Sequence, residues 1–119
     1  MDEDIKELSS EEFLGLTERE VRPVDLPNGK GRVYIRSLTT EEKDEFEAHL
    51  AKKKGDKNAR GELLRIVCWD VKADKPMFTR VQALKIAKVN VKYTEAIITE
   101  AFKMINYTEE DMEKLEKNS

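Results

Sequence analysis

Three times in this sequence a serine or threonine stands three residues ahead of a glutamate or glutamine, at the head of a stretch with helical apolar spacing. The pairs are Ser9 with Glu12, Thr39 with Glu42, and Thr79 with Gln82. This is the capping-box arrangement, in which each side chain satisfies a backbone N–H that the first helical turn leaves open. Helix starts are therefore written into the chain, and they bound what can lie between them. Ser9-Ser10-Glu11-Glu12 opens a short turn of helix with Phe13, Leu14 and Leu16. Thr39-Thr40-Glu41-Glu42 predicts a helix over about 40–54, with Phe46 and Leu50 on one face and Gly55-Asp56-Lys57-Asn58 as its stop. Thr79 predicts a helix over about 79–89 carrying Val81, Leu84, Ile86 and Ala87, with Asn90 as a break.

Two more helices follow from periodicity alone. Leu63, Leu64, Ile66, Val67 and Val71 form an apolar stripe that predicts a helix over about 60–72, stopped by Ala73-Asp74-Lys75-Pro76. Thr94, Ile97, Ile98, Ala101, Phe102 and Ile105 keep the cleanest 3–4 spacing in the chain and predict a central helix over 92–106. Thr108-Glu109-Glu110-Asp111 reads as the cap of a closing helix over 109–117.

Only one region breaks the helical period. Glu20-Val21-Arg22-Pro23-Val24-Asp25-Leu26 alternates, Pro27-Asn28-Gly29-Lys30-Gly31 is a turn, and Arg32-Val33-Tyr34-Ile35-Arg36 is rich in strand formers. The pattern predicts a β-hairpin over about 19–37, its first strand either at a sheet edge or irregular at Pro23, which cannot donate to a ladder. A lone hairpin is marginal in water and must pack on something. The expected fold is α+β, mainly α: a small helical bundle preceded by an N-terminal β-hairpin. Residues 1–8 form a loose acidic N-terminus, and 9–118 form a single domain.

Hydrophobic and charged residues each make up 39 % of the 119 residues, so the core is thin and the surface densely charged. The net charge is −3, with acids and bases interleaved along most of the chain. Nucleic-acid binding needs clustered positive charge to release counterions, so it is not expected. The basic cluster Lys52, Lys53, Lys54, Lys57 and Arg60 reads as a solvated helix end, where lysine suits the helix dipole. No apolar run approaches the ~18–20 residues of a membrane span. Met1-Asp2-Glu3-Asp4 lacks the positive start of a signal peptide, and one cysteine permits no intrachain disulfide. A cytoplasmic location is the expectation.

Residues that could carry chemistry are scarce. His49 is the only histidine and Cys68 the only cysteine, too few for a four-ligand zinc site. Cys68 lies in an apolar run and reads as core, which weighs against a Cys–His pair with His49. Asp70 and Asp74 lack the glycine and spacing of a calcium loop, and Gly29-Lys30-Gly31 lacks the length of a phosphate-binding loop. The reading is therefore a non-enzyme without metal or cofactor. Surfaces remain: the hairpin edge, apolar grooves between helices, and three candidate partner-binding residues, Tyr34, Ile35 and Trp69. Tyr34 and Ile35 project to opposite sides of their strand, so one faces the core and the other is free. Trp69, expected at a helix end, is the only tryptophan, a residue enriched at interface hot spots.

The order of elements resembles the tail assembly chaperones of long-tailed bacteriophages and prophages. The resemblance rests on Val33-Tyr34-Ile35-Arg36-Ser37-Leu38-Thr39-Thr40-Glu41-Glu42 running into Phe46, on Leu63 to Asp70, on Lys75-Pro76-Met77-Phe78-Thr79, and on Ile105-Asn106-Tyr107-Thr108-Glu109-Glu110-Asp111 through Asn118. It covers about residues 18–118. The sequence departs from the pattern at Arg80-Val81-Gln82, where acids are usual, and at Asp74-Lys75, in place of an Asp-Gly-type turn.

The resemblance implies a non-catalytic late protein of the host cytoplasm, absent from the mature virion. It would keep the tape measure protein soluble while the tail tube protein polymerises around it, and homo-oligomerisation along the client is one way to do so. It implies no catalytic residues. Many such proteins are also made as a longer frameshifted product, and Glu116-Lys117-Asn118 is encodable by a slippery heptamer. The alternatives are a structural tail component, such as a completion or adaptor subunit, and another phage protein-binding module.

Overall fold

The computed structural model describes residues 5–51, 58–106, 109, 110 and 113. All three expected capping boxes form. Ser9 Oγ accepts from the Glu12 amide while Glu12 accepts from Ser9, and the same exchange joins Thr39 to Glu42 and Thr79 to Gln82. They start α1 (Ser10–Leu14), α2 (Thr40–Leu50) and α4 (Arg80–Lys85). A 3-10 turn, Ile86–Lys88, extends α4. Asn90 is the expected break and also a cap: its side chain accepts from the Lys92 amide at 3.0 Å and starts α5 (Val91–Ile105). Helix α5 closes at Asn106, which takes the left-handed conformation (φ 63°) that asparagine tolerates. The closing helix expected over 109–117, with its Thr108 cap, falls largely outside the described residues, as does the stretch from 52 to 57.

The fold is α+β and mainly α, as the sequence indicates. The hairpin is present as β1 (Val21–Leu26) and β2 (Gly31–Arg36), joined through Asn28 and Gly29 at φ 62° and 64°. Left-handed φ at both positions is what an Asn-Gly turn supplies at low cost.

The sheet, however, has four strands. Helix α3 runs only over Ala59–Val67, where a helix to residue 72 was expected. The chain turns straight into β3 (Cys68–Asp70) and returns as β4 (Lys75–Pro76), giving an antiparallel sheet in the order β1-β2-β3-β4. Cys68 has extended φ/ψ (−74°, 133°). The apolar run from Leu63 to Val71 fits either period, and β2 decides between them by offering an unpaired ladder to Cys68 and Trp69. Trp69 therefore lies inside a sheet, not at a helix end. As Pro23 requires, β1 is an edge strand, and the other edge, β4, carries Pro76. A proline on each edge blunts both against further strand pairing, which makes the hairpin edge a poor docking site.

The core lies between the sheet and the helices. Val24 and Ile35 from the sheet meet Phe46 of α2, Leu63, Leu64 and Val67 of α3, and Ile97, Ile98, Ala101 and Phe102 of α5. Gly61 sets the distance between α3 and α4. A Cβ there would lie 2.6 Å from the Ala83 carbonyl oxygen and 2.5 Å from Asn58 Oδ1. Only glycine permits that approach.

Candidate functional site: the outer face of the sheet

Alternation along β1 and β2 sends Val24, Val33 and Ile35 to the helices and Val21, Pro23, Asp25, Arg32, Tyr34 and Arg36 to the opposite side. Strand register then builds a row across this outer face. Pro23 pairs with Tyr34, Tyr34 with Trp69, and Trp69 with Pro76. Directly opposed residues share a face, so two aromatic rings and two prolines stand side by side across four strands. Residues far apart in sequence meet here because α3 delivers its strand against β2.

Charged groups hold the row in place. The Arg36 guanidinium lies 3.7 Å over the Trp69 ring, a cation–π contact. Glu42, at the start of α2, accepts from Arg36 Nη2 at 3.3 Å and also from Arg19. Two guanidiniums thus share one carboxylate, and the Nε of each has no hydrogen-bond partner among the described residues. Burial pushes the Arg36 pKa down, and Arg19 beside it adds repulsion. On the other flank of the row Arg32 donates to Asp25 through Nε at 2.5 Å and Nη2 at 3.2 Å. That contact holds the Asp25 carboxyl below its usual range.

Beside Tyr34 and Trp69 the surface sinks into a groove of about 210 Å³. Val33 and the exposed Val71 and Met77 give it its apolar lining, and Arg32, Asp70 and Lys72 line it as well. The Asp70 side chain accepts from the Ala73 amide at 3.0 Å and shapes the β3–β4 turn. An apolar lining with a few charges suits an amphipathic protein segment.

Of the three expected partner-binding residues, Tyr34 and Trp69 meet on this face, half-buried. Ile35 does not. It is fully buried (0 %) on the helix side and belongs to the core, as alternation next to Tyr34 demands. Sequence reading missed Arg36, Val71 and Met77, because their relation to Trp69 depends on β3, which was read as helix. The signal available was β-branched and aromatic content: Val67, Trp69 and Val71 favour a strand.

Cys68 is fully buried in β3, and burial pushes its thiol up to about 12. A thiol held protonated in the core is not a nucleophile at neutral pH. Among the described residues no group of three or more His, Cys, Asp or Glu is placed to hold a metal ion, and no helix is long and apolar enough to cross a membrane. No family model, curated protein or solved structure matches the chain.

Proposed function

We propose that this protein is a phage tail assembly chaperone, a non-catalytic binder that keeps the tape measure protein soluble during tail assembly. The reading rests on the sequence resemblance. The observation that supports it is the aromatic and apolar outer face of the sheet, with its groove between Trp69 and Met77. A long helical client exposes apolar stripes that are buried only after assembly. A groove with an apolar lining and a few charges covers such a stripe reversibly, because the charged contacts are weak and solvent-screened. A helper of this kind acts in many copies and works in the host cytoplasm.

Co-expression with overlapping fragments of a tape measure protein tests the proposal. At least one fragment should shift from the insoluble to the soluble fraction and co-purify with the chaperone. Failure of every fragment to gain solubility or to co-purify would overturn it.

A further inference from the structure

A second feature lies away from the sheet groove. Although acids and bases interleave elsewhere, residues 75–94 contain no Asp or Glu, while Lys75, Arg80, Lys85, Lys88 and Lys92 all fall within them. This segment folds as α4, its 3-10 extension and the start of α5. On its surface Val81, Leu84, Val89 and Val91 are large and exposed. Val81, Leu84 and Lys88 follow helical spacing along one side. Next to them Phe78, Gln82, Lys85, Ile86 and Val89 line a largely apolar groove of about 210 Å³. Among the described residues Lys85 and Lys88 have no carboxylate partner, while Arg80 lies 3.8 Å from Glu45 and also acts through its charge on Glu62. The face is apolar and the charge of these two lysines is uncompensated.

The complement sits at the other end of the chain. Helix α1 forms on its own capping box and buries none of its residues. Phe13 and Leu14 are 65 % and 74 % exposed, and Ile5, Leu8 and Leu16 are also exposed. Leu8 precedes the Ser9 cap and Phe13 stands at the fourth helical position, the two sites of a hydrophobic staple. The charges here are of the opposite sign. Glu7, Glu11 and Glu12 accompany the segment after Asp2, Glu3 and Asp4, and Lys6 is already engaged by Glu12. An apolar cluster of this kind on a capped helix marks an interaction site.

We infer that the N-terminal segment Ile5–Leu16 of one copy docks on the basic, apolar face of α4 and the start of α5 in a second copy. Apolar side chains of α1 fill the groove beside Val81, Leu84 and Val89, and its glutamates face Arg80, Lys85 and Lys88. The two surfaces differ, so the contact is heterologous and one copy uses both at once. The inference does not depend on the sheet groove, and the variants below leave that groove untouched.

Sedimentation of two complementary variants tests it. One carries Phe13→Ser and Leu14→Ser, and the other carries Leu84→Glu and Lys88→Glu. All four positions are solvent-exposed, so the fold is preserved. The unaltered protein should associate as its concentration rises, and less so at high salt. Each variant alone should sediment as a monomer, and their mixture should restore a one-to-one heterodimer through the single intact pair of surfaces. A monomeric unaltered protein, association of either variant alone, or a mixture that stays monomeric would each overturn the inference. Loss of tape measure solubilisation with this pattern intact would instead count against the chaperone reading alone.

Discussion

Phe46→Ala should lower the free energy of unfolding by about 3–5 kcal/mol, a large share of the roughly 5–15 kcal/mol that holds a domain of this size together. Phe46 is fully buried and is the only buried residue of α2. Its other ties to the body are the half-buried Leu50 and the ion pairs of Glu42 with Arg19 and Arg36 and of Glu45 with Arg65, none of which is a fully buried apolar side chain. The loss should reach the outer face of the sheet as well. Glu42 sits in the first turn of α2 and is the carboxylate that Arg19 and Arg36 share. When α2 loosens, Arg36 loses the carboxylate that holds it over Trp69. Urea unfolding followed through Trp69, the single tryptophan, reads both effects: a lower midpoint, and a changed native emission before unfolding begins.

Ile35→Ala should cost about 2–5 kcal/mol, whereas Tyr34→Ala, one residue away, should cost markedly less. Ile35 is central in the sheet, paired with Arg22 on one side and Cys68 on the other, and no part of it reaches solvent. Removing its methyl groups leaves a cavity between the sheet and the helices. Tyr34 faces outward with one side open. Paired urea titrations of the two variants check the contrast. Equal losses, or a larger loss at Tyr34, would mean that the alternation of β2 is assigned to the wrong faces.

What was legible in the sequence was mostly local. The capping boxes at Ser9, Thr39 and Thr79 need only a four-residue window, and each forms as the spacing requires. The Asn28-Gly29 turn and the edge position implied by Pro23 are local in the same sense. What was not legible depended on a partner distant in the chain. Cys68 and Trp69 follow a helical stripe without interruption, and the strand preference of Val67, Trp69 and Val71 is too weak by itself to end the helix at Val67. The strand exists because β2, more than thirty residues earlier, pairs with it.

The candidate face follows the same division. Tyr34 and Trp69 stood out as aromatic residues, but their adjacency is a product of register, and so are the places of Arg36, Val71 and Met77. The basic face at α4 was legible, in that an acid-free stretch from 75 to 94 is visible in the sequence. Its lysines are spread at helical intervals and form no run, unlike Lys52-Lys53-Lys54, so the missing acids are its only mark in the sequence.

The central claim is that the groove beside Trp69 receives the client. Trp69 fluorescence, recorded while a soluble tape measure fragment is titrated into the unaltered protein and into a Val71→Glu, Met77→Glu variant, tests it most directly. Both substituted side chains are exposed, so Tm should not change. The account predicts a saturable change in Trp69 emission with the unaltered protein and its loss, together with fragment capture, in the variant. Capture of the fragment by the variant with undiminished affinity, or binding that leaves Trp69 emission unmoved, would contradict it.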